Sequence, residues 1–324
     1  MKTLLKLLLG LLIALMILSL TILANATVEL TKGGIYKSIH LPIGIGAIKW
    51  NASGSLLASS PALSGIQGPV ISRGKNDLHV QAWCSQQIIS KTVPIDSTEV
   101  TLDCQGKPRR YQLQTQPFNI NADLPQAKQI AVISDLEGNI AFFEQWARHS
   151  GVIDDEGNWA FAEGQVIILG DAVDRGRQVY DLLWRLYQLA HQAQQAGGQL
   201  LLLHGNHEQY VMRGLIDRVE TEHFWAIEQM MPYEQSFAAD TLLGSWLRQQ
   251  PIIARIGNYL FTHGGISPQL LASKQNLQQL NQHDNALQAG LFAGNLLKPG
   301  QQDKVRYSFT LYQSTDNGNK VRVQ

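Results

Sequence analysis

The chain has 324 residues, room for two domains at about 150 residues each, and 44% of it is apolar against only 16% charged. That balance excludes a disordered chain, and 26 basic against 26 acidic side chains leave no excess positive charge to draw in a nucleic-acid backbone. Two cysteines are too few for a disulfide-built miniature scaffold or a cysteine-rich zinc module, so any metal must be held by oxygen and imidazole.

Residues 1–26 read as a targeting segment. Lys2 and Lys6 form a short positive region, residues 7–24 run apolar with only Ser19 and Thr21 as mild interruptions, and Ala24-Asn25-Ala26 fits a small-x-small cleavage site. The apolar run is 18 residues long, the lower limit for crossing a bilayer of about 30 Å, so an uncleaved anchor is the competing expectation. In either case the chain is expected outside the cytoplasm, periplasmic or secreted, touching a membrane only through this segment. Residues 27–126 read as a small β-rich domain of short strands punctuated by glycine turns. Leu78, Val80, Ala82 and Cys84 alternate with polar residues, and Val100, Leu102 and Cys104 do the same, which puts both cysteines on apolar strand faces. In an oxidising compartment the two form a disulfide; the alternative is a pair of buried thiols.

From residue 127 to 324 the pattern becomes strand, loop and helix, repeated. Strands are expected over 129–134, 165–169, 199–203 and 259–262, and helices over 140–149 and 178–195, the latter carrying Val179, Leu182, Leu183, Leu186 and Leu189 at helical spacing. Alternating strands and helices imply an α/β core whose ligands collect beyond the carboxyl ends of the strands. The polar clusters fall there: Asp135-Leu136-Glu137-Gly138-Asn139, then Gly170-Asp171-Ala172-Val173-Asp174-Arg175-Gly176, then Gly205-Asn206-His207-Glu208, and His263-Gly264-Gly265. Carboxylates, an amide and imidazoles are ligands suited to divalent Mn, Fe, Zn or Mg. The segment 210–247, rich in Met, Trp, Phe and Tyr, is expected to be helical core, its position also allowing a lid.

Taken in order, these four motifs resemble the calcineurin-like metallophosphoesterases, the serine/threonine protein phosphatase type and its bacterial relatives, over about residues 128–270. The resemblance implies an α/β fold, a sandwich of two sheets flanked by helices, here preceded by the small all-β domain. It also implies two divalent metal ions, manganese first, with Asp171 bridging, Asp135 and Glu137 at one metal, and Asn206 and His263 at the other. His207 would protonate the leaving group, Asp174 would orient its ring, and Arg175 would hold phosphate oxygens, in a metal-dependent hydrolysis of phosphate monoesters such as phosphoproteins. Two departures stand out. Glu137 occupies the place of the family's histidine, where a second carboxylate hardens the site toward Mn or Mg; the competing reading is a carboxylate that touches no metal. No downstream Gly-His supplies the family's last histidine: His283 follows no glycine, and Arg306 is a weak candidate for a second phosphate-binding arginine. Residues 299–324 carry no strand-turn-His pattern, which suggests truncation or a late frame change. The alternatives are a degenerate phosphate-binding homologue or a phosphodiesterase of the same fold.

Overall fold

A computed structural model of the chain describes residues 2–25, 27–30, 36–42, 47–53, 65–85, 87–114, 118–266 and 276–282. His283, Arg306 and the segment 299–324 lie outside the described residues. Packing divides the chain into two compact units, 1–61 and 62–324.

The first unit holds helix α1 (Lys2–Ala24) and a three-stranded antiparallel sheet of β1 (Thr27–Leu30), β2 (Tyr36–Pro42) and β3 (Ala47–Ser53). Along α1 the side chains of Leu8, Leu12, Met16 and Leu20 are more than half exposed, so the apolar character runs round the helix rather than along one buried stripe. Several side chains near its start lie outside the description, and among the described residues no helix is long and apolar enough to cross a membrane.

In the second unit, β4 (Ile66–Arg73), β5 (Asp77–Cys84) and β6 (Gln87–Pro94) form an antiparallel sheet, followed by a hairpin of β7 (Glu99–Cys104) and β8 (Lys107–Gln112). Period-two alternation buries Leu78, Val80, Ala82 and Cys84 on one strand and Val100, Leu102 and Cys104 on the other. The two cysteines are bonded to each other across 20 residues of chain, with their Cα atoms 5.8 Å apart. Strand β9 (Asp123–Leu124) then leads into the α/β part: β10 (Ile130–Ile133), α2 (Ile140–His149), β11 (Gln165–Ile168), α3 (Val179–Gln195) and β12 (Gln199–Leu202). Four short helices follow, α4 (Asn206–Met212), α5 (Thr221–Glu228), α6 (Tyr233–Ser236) and α7 (Leu242–Gln249), and then β13 (Ile253–Ile256) and β14 (Tyr259–Thr262).

Strands β10, β11 and β12 lie side by side in parallel, and β13 pairs with β14 antiparallel and with β9 in parallel. Alternate residues of the parallel sheet face opposite ways. Val132, Ile167 and Leu201 pack with Ala254, Ile256 and Phe261 between the two sheets. Ile133, Val166, Ile168, Leu200 and Leu202 join the opposite core with the helices. This is the two-sheet sandwich expected from sequence. The Asn139 side chain accepts the N–H of Phe142 at 3.0 Å and fixes the start of α2 where the first loop ends. Helix α3 buries Val179, Leu182, Leu183, Leu186 and Leu189.

Residues of β4, β5, β7 and β8 belong to the same hydrophobic core as α3 and α7. The Trp184 indole donates to the Pro69 carbonyl at 3.0 Å, and Trp83 meets Trp225 edge to face at 5.0 Å. Packing thus joins strands β4 to β8 to the α/β part. Trp246, Tyr233 and Phe237 are fully buried, which makes the segment 210–247 part of this core.

Two predictions follow from the packing. Closing a loop of this size removes unfolded-chain entropy, so the Cys84→Ala, Cys104→Ala double variant should lose about 3 kcal/mol, measured by urea unfolding. His223, fully buried between the rings of Tyr180 and Tyr233, has its pKa pushed down to about 3 by desolvation. Between that value and the ordinary 6.5 the unfolded chain binds a proton that the folded chain refuses, so stability rises with pH. Below 6.5 the loss should grow by about 1.4 kcal/mol per pH unit. Denaturant melts from pH 7 to 4 should show this slope, and His223→Phe should flatten it.

Candidate active site

The four motifs meet on one rim because three parallel strands end together and β14 ends beside them. The loops after β10 and β11 extend the ladder past the sheet: Asp135 donates its N–H to the Gly170 carbonyl at 3.1 Å, Glu137 to Asp171 at 2.9 Å, and Gly138 to Ala172 at 2.8 Å. Gly170 is where the third loop passes closest, since a Cβ there would lie 2.5 Å from the Gly205 nitrogen. A Cβ on Gly205 would in turn lie 2.1 Å from Asp171 Oδ1. No side chain fits at either position without displacing backbone.

Among the described non-glycine residues with positive φ, Asp135 (53°), Glu137 (46°), Asp171 (56°), Asp174 (67°) and Arg175 (54°) all belong to this rim. Each such residue costs about 1–2 kcal/mol, so the surrounding ladder and core must hold the loops against their own preference.

The Glu208 carboxylate ties the loops together. Fully buried on the first turn of α4, it accepts the N–H groups of Asp171 (2.8 Å), Ala172 (2.7 Å) and Gly205 (2.8 Å). Burial and the neighbouring Asp171 push its carboxyl pKa upward, and the N–H donors of Asp171 and Gly205 oppose that rise. Glu208 stands inside a motif read from sequence, yet the sequence assigned it no role. The signal available was its place three residues beyond Gly205, the N3 position of a helix start.

Asp171, Asn206 and His263 converge. His263 Nδ1–H donates to the Leu169 carbonyl at 2.9 Å, which leaves Nε2 as the lone-pair atom. That nitrogen lies 3.3 Å from Asp171 Oδ2 and 3.2 Å from Asn206 Oδ1. Lone pairs facing one another call for positive charge, either a proton on the ring or a cation shared by the three residues, so this donor set fits a divalent metal ion. Burial alone would raise the Asp171 carboxyl, but the His263 ring and the His207 N–H, 3.0 Å away, take it below the usual carboxylate range. Asp135, exposed on the same rim, accepts from the Ser134 hydroxyl at 2.5 Å and contributes to the negative field on His263. Among the described residues no three His, Cys, Asp or Glu side chains gather into a ready-made metal cluster.

His207 and Asp174 form a buried pair, Nδ1 to Oδ2 at 2.8 Å. Burial opposes charge on the imidazole, but the Asp174 hydrogen bond and the nearby Asp171 carboxylate outweigh it and raise the His207 pKa. Arg175 Nη2 lies 3.2 Å from His207 Nε2, while Nδ1–H serves Asp174. Arg175 Nη1 is ion-paired with Glu137, and the Arg175 N–H is held by the Arg218 carbonyl at 2.9 Å. The structure therefore gathers His207, Asp174, Arg175, Asp171, Asn206 and His263 with Asp135 at the edge. Glu137, expected among the metal ligands, is turned to Arg175.

Fold and rim together define an α/β sandwich protein whose strand-end loops gather carboxylates, an amide and imidazoles around one polar site. Residues 128–310 match the family model described as calcineurin-like phosphoesterase, and the chain belongs to that family. Membership implies divalent metal ions. The chain is 26% identical over 213 residues to Shewanella-like protein phosphatase 1 of Plasmodium berghei, covering 64% of this chain and 55% of the relative. It is 32% identical over 81 residues to Shewanella-like protein phosphatase 2 of Arabidopsis thaliana, covering 25% and 21% respectively. Thus the chain spans about half the length of the first of these relatives and less of the second. A solved cold-active protein-tyrosine phosphatase of a psychrophilic Shewanella species superposes with a TM-score of 0.65 at 30% identity, over 69% of each chain.

The Glu208 hydrogen bonds generate a prediction. Glu208→Gln turns one acceptor oxygen into a donor facing a backbone N–H, which should destabilise the fold by about 2–3 kcal/mol in urea unfolding.

Proposed function

We propose that this chain hydrolyses phosphate monoesters, phosphoproteins among them, with metal-dependent delivery of water to phosphorus. The observation that carries the reading is the buried His207–Asp174 pair with Arg175 at its open nitrogen, all within the rim that holds Asp171, Asn206 and His263. The protein phosphatase names of the relatives support phosphoprotein substrates. Divalent ions held by Asp135, Asp171, Asn206 and His263, manganese first among them, would acidify a water and neutralise charge on the phosphoryl oxygens.

The chain's own groups do the rest. The Arg175 fork binds two phosphate oxygens and sets the ester in line for attack. As the water oxygen bonds to phosphorus and the ester P–O bond breaks, the departing alkoxide takes a proton from His207 Nε2. Asp174 holds Nδ1–H, keeps the ring in that orientation and stabilises its charged form. No covalent phosphoenzyme is needed, because the nucleophile is water.

The N-terminal segment supports export, to the periplasm or the medium, with anchoring by residues 7–24 as the variant. The Cys84–Cys104 disulfide fits an oxidising compartment.

Purified protein assayed on an aryl phosphate across Mn, Mg, Zn and Fe should show metal-dependent turnover. His207→Ala should cut kcat by about 100-fold to 10,000-fold with the fold intact by circular dichroism, the range a general acid contributes. Asp171→Asn should abolish the metal response. Equal activity in both variants and the parent would refute the assignment.

A further inference from the structure

Besides the buried Glu208, the described rim loops carry four carboxylates, Asp135, Glu137, Asp171 and Asp174, each with its own main partner. Asp174 serves His207, Asp171 receives His207 N–H and faces His263, and Asp135 takes the Ser134 hydroxyl. Glu137 is the one turned to the Arg175 guanidinium. Both partners are anchored through their backbones, Glu137 to the Asp171 carbonyl at 2.9 Å and Arg175 to the Arg218 carbonyl at 2.9 Å. Both have left-handed backbones, so neither reaches the other by a relaxed loop conformation. The next arginine along the loop is engaged elsewhere: Arg177 pairs with Glu222 at 3.2 Å and Glu220 at 3.8 Å. The Arg175 side chain is half exposed, its ion pair open to solvent, while its other nitrogen touches the His207 ring.

A guanidinium fork binds a carboxylate and a phosphate through the same two N–H directions. Glu137 therefore holds one of the two nitrogens, Nη1, that the phosphate of a substrate would need. We propose that Glu137 is an internal competitor for phosphate, a carboxylate that occupies Arg175 Nη1 until the phosphoryl group of a substrate displaces it, so that it sets the phosphate affinity of the site. The inference rests on the reading of Arg175 as the phosphate-binding arginine. Displacing Glu137 costs the same ion pair whichever phosphate ester arrives, and the displaced carboxylate stays close to the bound ester and repels it. That repulsion is larger for a monoester dianion than for a diester monoanion, so Glu137 weakens binding of the dianion more.

The test uses the full chain, with inorganic phosphate as the binding probe in titration calorimetry, an aryl phosphate and a bis-aryl phosphate as substrates, and metal content by atomic emission. Exposed ion pairs of this kind are worth up to about fivefold in an equilibrium, so Glu137→Gln should bind phosphate about threefold to fivefold tighter. The KM for the aryl phosphate should fall by the same factor with kcat changed less, and the diester to monoester ratio of kcat/KM should fall, because the dianion is relieved of the larger repulsion. Metal content should equal that of the parent. In an Arg175→Ala background the Glu137→Gln effect on phosphate affinity should vanish.

Three results would overturn the proposal: phosphate affinity unchanged or weaker in Glu137→Gln, the same gain with Arg175 absent, or a fall in metal content, which would return Glu137 to the metals. A parent protein that binds phosphate but turns over neither ester would instead remove the hydrolytic function, and calorimetry would still decide the role of Glu137.

Discussion

Three backbone N–H groups from two separate loops point at one buried carboxylate, and the arrangement of the site depends on that convergence. Glu208 accepts from Asp171, Ala172 and Gly205. Without it the loops after β11 and β12 would present unpaired donors to the interior, a penalty that neither loop can escape by turning to solvent. With it, Asp171 and His207 are brought close enough for the His207 N–H to reach Asp171 Oδ1. The glycines at 170 and 205 are the steric counterpart, since a side chain on either would push the two loops apart.

The left-handed backbones along the same loops are held by this frame. Asp135, Glu137, Asp171, Asp174 and Arg175 adopt a conformation that a free loop would leave, and they persist because the ladder beyond the sheet and the core beneath it resist relaxation. The consequence is directional. Asp174 is sent inward to His207 and Arg175, the next residue, outward to the rim. Two neighbouring side chains with opposite tasks, one buried and orienting, one exposed and anion-binding, follow from one strained turn.

The same logic sets the balance of charge at the rim. Asp171 is held below its usual pKa by the His263 ring, and His207 is raised by Asp174 and Asp171 in spite of burial. For these two groups opposed charge at short range outweighs burial, whereas at Asp174 burial wins and its carboxyl is pushed up. Glu137 and Arg175 form the exposed end of this network, where an ion pair open to water can exchange one anion for another.

Much of this was legible in the sequence. Hydrophobic periodicity placed strands β10, β11, β12 and β14 and helices α2 and α3 to within a residue at each end, but gave no separate bounds for β9, β13 or α4 to α7. Motifs at successive strand ends placed carboxylates, amide and imidazoles on one rim, since parallel strands end on the same side. Cys84 and Cys104 showed their shared apolar face by alternation. What tertiary structure alone decided is which partner each group takes. Strands β4 to β8 share a core with α3 and α7 through contacts such as Trp184 with Pro69, 115 residues apart, which no local pattern encodes. Glu208 ties two loops, and Glu137 pairs with Arg175, because a side chain's partner depends on distances across the fold, while the sequence specifies only spacing along the chain.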